Sequence, residues 1–208
     1  NLGTGPAAVA GAPAPEPGIS PVTHVWVAPD GVIFAASSTQ LLRWDGAWTA
    51  FNYDAGGLPL EAAMLTGSSS TEIYLTYQST LIPTTRATLR FDGVTFAPFA
   101  VPYAGTFFQE QAYQLLVIGS DEAYASWAGE TQRWDGTDWT VAWPEATSGL
   151  GRDPAGELWG VIAEGLALRD VHGWLPIRGD LDANGRAVLP TADVVYVPRG
   201  AAISLWRR

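Results

Sequence analysis

The chain is 208 residues long, with 47% apolar residues and ten Trp, which favours a globular protein over disorder and suits one domain with a sizeable core. Its formal charge is −10 and Arg supplies all of its strong bases, a balance that argues against binding phosphate backbones. Cys is absent, so disulfides and thiolate zinc sites are excluded, and no apolar run approaches the ~20 residues of a membrane helix.

Residues 1–20 are Ala, Gly or Pro at 13 positions and read as a tether or mobile arm. Val9, Ile19 and Val22 give the arm a second possible use, patching a sheet of its own molecule or of a neighbour by strand donation. An amino end of Asn rather than Met fits either processing or a trimmed chain. With the Cys-free, Lys-free, acidic composition it sets the expectation of an exported protein, extracellular, periplasmic or on the cell surface.

From residue 21 a two-hairpin phrase recurs five times. The first copy runs HVWV, turn Pro29-Asp30-Gly31, VIFAAS, QLLRW, turn Asp45-Gly46, AWTAF. The second turn returns as Arg90-Phe91-Asp92-Gly93 with Phe96 beyond it, and as Arg133-Trp134-Asp135-Gly136 with Trp139. It degrades to Arg169-Asp170-Val171-His172-Gly173 before Trp174, and to Pro198-Arg199-Gly200 before Ile203. The first turns fall at Ser69-Ser70-Thr71, Ser120-Asp121-Glu122, Pro154-Ala155-Gly156 and Ala183-Asn184-Gly185. Self-similarity on such a period signals a repeat architecture.

Within each copy the short runs are β-branched and aromatic, and turn residues bound them. Asp-Gly between such runs is a hairpin signal, because tight type I′ turns need positive φ. No stretch carries a capped 3.6-residue period. Four strands per copy make one antiparallel sheet, and five sheets set radially bury faces that one cannot. The expected fold is therefore all-β, a five-bladed β-propeller of four-stranded antiparallel blades after the arm, with blades at about 21–57, 58–104, 105–146, 147–179 and 180–208. The pairs Trp44/Trp48, Phe91/Phe96 and Trp134/Trp139 are expected to face each other across hairpins as scaffold.

The Arg-Trp-Asp-Gly phrase with a following Trp, preceded by Pro-Asp-Gly, resembles bacterial propeller repeats of the two-component-regulator and Kelch-like kind over residues 22–208. That resemblance implies blades and leaves activity open, since such propellers serve as sensors, binders and enzymes. The turns also resemble the Asp-box of sialidase propellers. The Ser-x-Asp-x-Gly-x-Thr-Trp spacing is absent, so no sialidase residues carry over.

Copy two has the longest connections, Tyr77–Thr85 within it, Tyr53–Glu61 before it and Val101–Tyr113 after it. Blade topology places all three on one face, and loops longer than a fold requires carry function. The expected ligand residues are Tyr53, Asp54, Tyr77, Gln78, Tyr103, Phe107, Phe108 and Glu110, a mix of rings, amide and carboxylates suited to a glycan or a peptide. Asp180, Asp182 and Asn184 match the opening of a calcium loop, but Val188 and Thr191 stand where later ligands belong, so the segment reads first as a turn. No cofactor or metal is expected beyond that calcium candidate.

Catalysis has thin support. His24 and His172 lack metal spacing, and no inward acid pair stands out, Glu110 and Asp180 being the nearest candidates. The sequence thus points to a non-catalytic exported propeller module recognising a glycan or protein surface. The alternatives are a surface component self-assembling through residues 1–20, and a propeller glycoside hydrolase.

Overall fold

The structure is a computed structural model, and it describes residues 21–53, 60–79, 86–101, 114–127, 129–144, 147, 149–162, 165–170, 173–178, 189–190, 194–199 and 202–207. All regular structure among these residues is β. The first sheet is β1 (His24–Val27), β2 (Ile33–Ala36), β3 (Gln40–Trp44) and β4 (Trp48–Asn52), in that order. The second is β5 (Leu60–Ser69), β6 (Glu72–Ser79), β7 (Arg86–Phe91) and β8 (Phe96–Phe99). The third is β9 (Gln114–Gly119), β10 (Glu122–Trp127), β11 (Glu130–Trp134) and β12 (Trp139–Trp143). The fourth is β13 (Gly149–Arg152), β14 (Leu158–Ile162), β15 (Gly165–Asp170) and β16 (Gly173–Arg178). The described part of the fifth is three strands, β17 (Leu189–Pro190), β18 (Val194–Arg199) and β19 (Ala202–Arg207).

Every sheet is an up-and-down meander of sequential strands, and the repeated phrase explains why. The second turn closes β3–β4, β7–β8 and β11–β12, and its Gly sits at φ 107, 97 and 98 in Gly46, Gly93 and Gly136, where a side chain is strained. At Gly93 and Gly136 space is short as well. A Cβ on Gly93 would lie 3.1 Å from Thr71 Cγ2, and one on Gly136 would lie 3.1 Å from Asp121 Cβ. In the second and third sheets the second turn therefore folds back against the first turn of its own sheet, and this ties the two halves of the phrase together. The aromatic pairs face each other as expected: Trp44 and Trp48 centroids are 5.4 Å apart, Phe91 and Phe96 4.9 Å, Trp134 and Trp139 5.6 Å.

The fifth sheet corrects one reading. Val195 pairs with Trp206, just as Ile33 pairs with Trp44, Ile73 with Phe91 and Ala123 with Trp134. The hairpin at residues 199–202 thus joins the strands that hold second and third place in the other sheets. Pro198-Arg199 therefore ends a second-place strand rather than a third-place one. A Pro-x-Gly cluster marks either kind of link, and only the pairing register distinguishes them.

The chain forms two compact units. One holds β1–β8 except Thr66–Ser68 of β5, and the other holds Thr66–Ser68 and β9–β19. In the first unit, Phe34, Ala36 and Leu41 of the first sheet pack with Ile73, Leu75, Leu89 and Phe91 of the second in one buried layer. In the second unit, Tyr124 and Trp143 meet Leu150 between the third and fourth sheets, while Trp159, Val161 and Leu166 meet Val195 between the fourth and fifth. Sheet against sheet, with apolar layers between, is the packing of propeller blades.

Outer strands differ in how their free edges are treated. β8 carries Pro98, which has no N–H to offer. In β12 the register skips Ala142, and in β16 it skips Ile177 next to Pro176, so both edges are bulged. β4 pairs with β3 through five successive residues with neither device.

Candidate functional site

A concavity among the described residues lies in the first unit, between β4 and the β7–β8 hairpin. It is an open groove of about 600 Å³ lined by Ala50, Phe51, Asn52, Tyr53, Leu89, Val94, Thr95, Phe96 and Pro98. Strand alternation sorts these contributions. Phe51 pairs with Leu41, Phe96 with Phe91 and Pro98 with Leu89, so all three lie on the faces that the two sheets turn toward each other. Val94, at the tip of the second turn, is 74% exposed. Ala50 and Asn52 pair with Leu42 and Gln40, so their side chains belong to the opposite face of the sheet, and both residues line the groove at the outer edge of β4.

Behind the groove stands an aromatic group. Phe51 meets Phe91 edge-on at 4.7 Å, and Tyr53 meets Phe96 edge-on at 5.8 Å. Tyr53 also stacks on Tyr77 with centroids 6.3 Å apart and planes inclined 19°. Tyr53 itself is only 6% exposed, and its hydroxyl donates to the Ser37 carbonyl. Burial, aided by Tyr77, raises its pKa to about 12.

Of the residues expected to bind ligand, the structure brings Tyr53 and Tyr77 together and sets half-buried Gln78 next in chain after Tyr77 on β6. Asp54, Tyr103, Phe107, Phe108 and Glu110 lie outside the described residues, as do Asp180, Asp182, Asn184, His172 and the arm at 1–20. Sequence reading did not identify the groove wall at Leu89, Val94, Thr95 and Pro98. Its one signal was Val94, an apolar side chain directly after an Asp-Gly turn where a polar residue is usual.

The charge beside the groove is acidic. Asp92 Oδ1 accepts from the backbone N–H of Val94 at 2.9 Å and of Thr95 at 2.7 Å, which holds its carboxyl below the usual range. Asp135 repeats this in the third sheet, accepting from Thr137 and Asp138 at 2.9 Å each. Two further ion pairs recur at matching places, Glu72 with Arg90 at 3.0 Å and Glu122 with Arg133 at 3.8 Å. Each Glu also accepts from a tyrosine hydroxyl, Tyr74 and Tyr124 respectively. Their repetition marks them as sheet structure.

In the second unit Arg169 donates to the Gly173 carbonyl at 3.1 Å and lies over the Trp143 ring at 5.0 Å. Trp143 also meets Trp174 edge-on at 5.0 Å, a geometry in which an indole edge points at a ring face. Among the described residues, His, Asp and Glu form no cluster fit to hold a metal ion. No described helix is long and apolar enough to cross a membrane.

No protein-family model matches the chain, and no curated protein matches it. Solved structures do. YCF48 bound to D1 peptide is similar at 12% identity and TM-score 0.58, over 91% of this chain and 64% of that one. The extracellular domain of the putative one-component system BT4673 from B. thetaiotaomicron is similar at 13% identity and TM-score 0.61, over 90% of this chain and 27% of that one. XC5397 from Xanthomonas campestris, a gluconolactonase, is similar at 12% identity and TM-score 0.62, over 89% and 71%. At such identities the likeness concerns fold, and the fold is the β-propeller. The chain spans less than two thirds of the first two of these proteins.

Proposed function

We propose that the chain is a non-catalytic, exported propeller module that recognises a protein or glycan surface. The observation that carries this reading is the apolar groove of the first unit, walled by Phe51, Phe96 and Pro98 and backed by the Tyr53–Tyr77 stack. Rings with few polar groups beside them suit a ligand held by contact area and orientation rather than one that is chemically transformed. Two structural neighbours support the reading by kind: one is a propeller with a bound peptide, and one is the extracellular part of a putative signalling system. Tyr77 and Gln78, with Asp54, Tyr103, Phe107, Phe108 and Glu110, are proposed to extend the ligand surface, while buried Tyr53 holds Tyr77 in place.

The test is to probe the purified chain against glycan and peptide arrays. Selective capture that weakens in Phe96→Ala and Tyr77→Ala is the expected result. Silence on both arrays would remove the reading.

A further inference from the structure

We propose that the outer edge of β4 is an acceptor for an extended peptide, which adds as a fifth strand to the first sheet. Its alternate apolar side chains lie in the groove against Phe51, Val94, Phe96 and Pro98. The inference deepens the proposed function and rests on it, for it names the ligand class and the surface.

The backbone geometry comes first. Tyr53 N–H donates to the Thr39 carbonyl at 3.3 Å, and at the other end Asp45 N–H reaches the Ala47 carbonyl at 3.5 Å. Both fix the phase of the β3–β4 ladder. In an antiparallel pair, residues alternate between exchanging hydrogen bonds with the partner strand and turning both backbone groups away. Counting from Tyr53, Phe51 and Thr49 face β3, and Asn52 and Ala50 turn their N–H and C=O outward. Ala50 and Asn52 both line the groove.

The comparison among outer strands comes second. β8, β12 and β16 each carry a proline, a bulge or both, devices that keep free edges from pairing. β4 carries none, and it alone among these four runs beside the groove just described while keeping all its N–H groups. An edge whose described residues carry neither device, beside an apolar trench, is the arrangement strand addition needs. Main-chain bonds supply affinity there, and pockets for every second side chain supply choice.

Charge selects the ends of the peptide. Asp92 is ionised beside Val94 and Thr95, and the chain carries −10 overall. A segment with Val, Ile, Leu or Phe at alternate positions and Arg at one end fits both the trench and the carboxylate.

The experiment uses a panel of acetylated nine-residue peptides alternating Thr with Val, Ile, Leu or Phe and ending in Arg, titrated onto the purified chain by fluorescence polarisation. Ala50→Pro removes one outward N–H from an edge position that tolerates proline. It is expected to weaken the best peptide by about tenfold while leaving the thermal midpoint near that of the parent. Should Ala50→Pro fail to fold, the parent chain decides alone, because N-methylation of that peptide at alternate residues must abolish its binding. Binding undiminished by both changes overturns the proposal. If no panel peptide binds while glycan or folded-protein arrays score, the strand-acceptor proposal falls and the binding-module reading stands. If every array is silent, both fall.

Discussion

Gly93 illustrates how one residue can hold a repeat together. It sits at φ 97, and any Cβ would come within 3.1 Å of Thr71 Cγ2. Left-handed backbone costs an ordinary residue ~1–2 kcal/mol, before any crowding. Gly93→Ala is therefore expected to destabilise by at least that much, read as a lower urea midpoint at unchanged slope. Gly46, with nothing near its Cβ position, is expected to show the backbone cost alone. Asp92 and Asp135 act at the same turns by a different route. Backbone N–H bonds depress both carboxyls in the folded chain, so their stabilisation is complete above the ordinary aspartate pKa and fades as pH falls through the lower folded values. A double Asp92→Ala, Asp135→Ala variant should thus differ from the parent near neutral pH and converge on it in acid, when urea midpoints are plotted against pH. Tyr53 and Tyr124 give the opposite limb. Burial raises both to about 12, so their contribution holds below the free tyrosine value and disappears as pH climbs through the folded one.

Elements were legible wherever local chemistry decides them. Pro29-Asp30-Gly31 and the three Asp-Gly turns marked hairpins because only a few residues tolerate that backbone, and the strands between them fell in place. The fifth sheet was misphased because Pro198-Arg199-Gly200 satisfies the composition of a turn without saying which strands it joins. The better signal was Trp206, which stands opposite Val195 as Trp134 stands opposite Ala123. The groove was harder to see, since Phe51 and Phe96 are 45 positions apart and nothing near either one announces the other. Edge chemistry also belongs to this scale. Pro98 costs β8 one N–H on its free side, so Pro98→Val should leave stability nearly unchanged while restoring a pairing edge. Sedimentation of the variant at rising concentration is expected to show self-association absent from the parent; a strictly monomeric variant would mean that other features guard β8.

At the scale of the molecule, each compact unit holds its described core in layers, each layer belonging to two neighbouring sheets of that unit. Leu150 lies between the third and fourth sheets and Leu166 between the fourth and fifth, both buried, with no residue common to their clusters. Stability in such a stack is a sum of sheet and interface contributions. Leu150→Ala and Leu166→Ala should each cost ~2–5 kcal/mol, the cost of emptying a well-packed site. Because the two cavities open on opposite faces of one sheet, the double variant should cost the sum to within about 0.5 kcal/mol. Chemical denaturation of the four chains in the cycle measures this directly. A shortfall well beyond that margin would mean that the fourth sheet relaxes as a body when either face is emptied. The layers would then be one cooperative core, and a ligand on any one sheet would be felt by its neighbours.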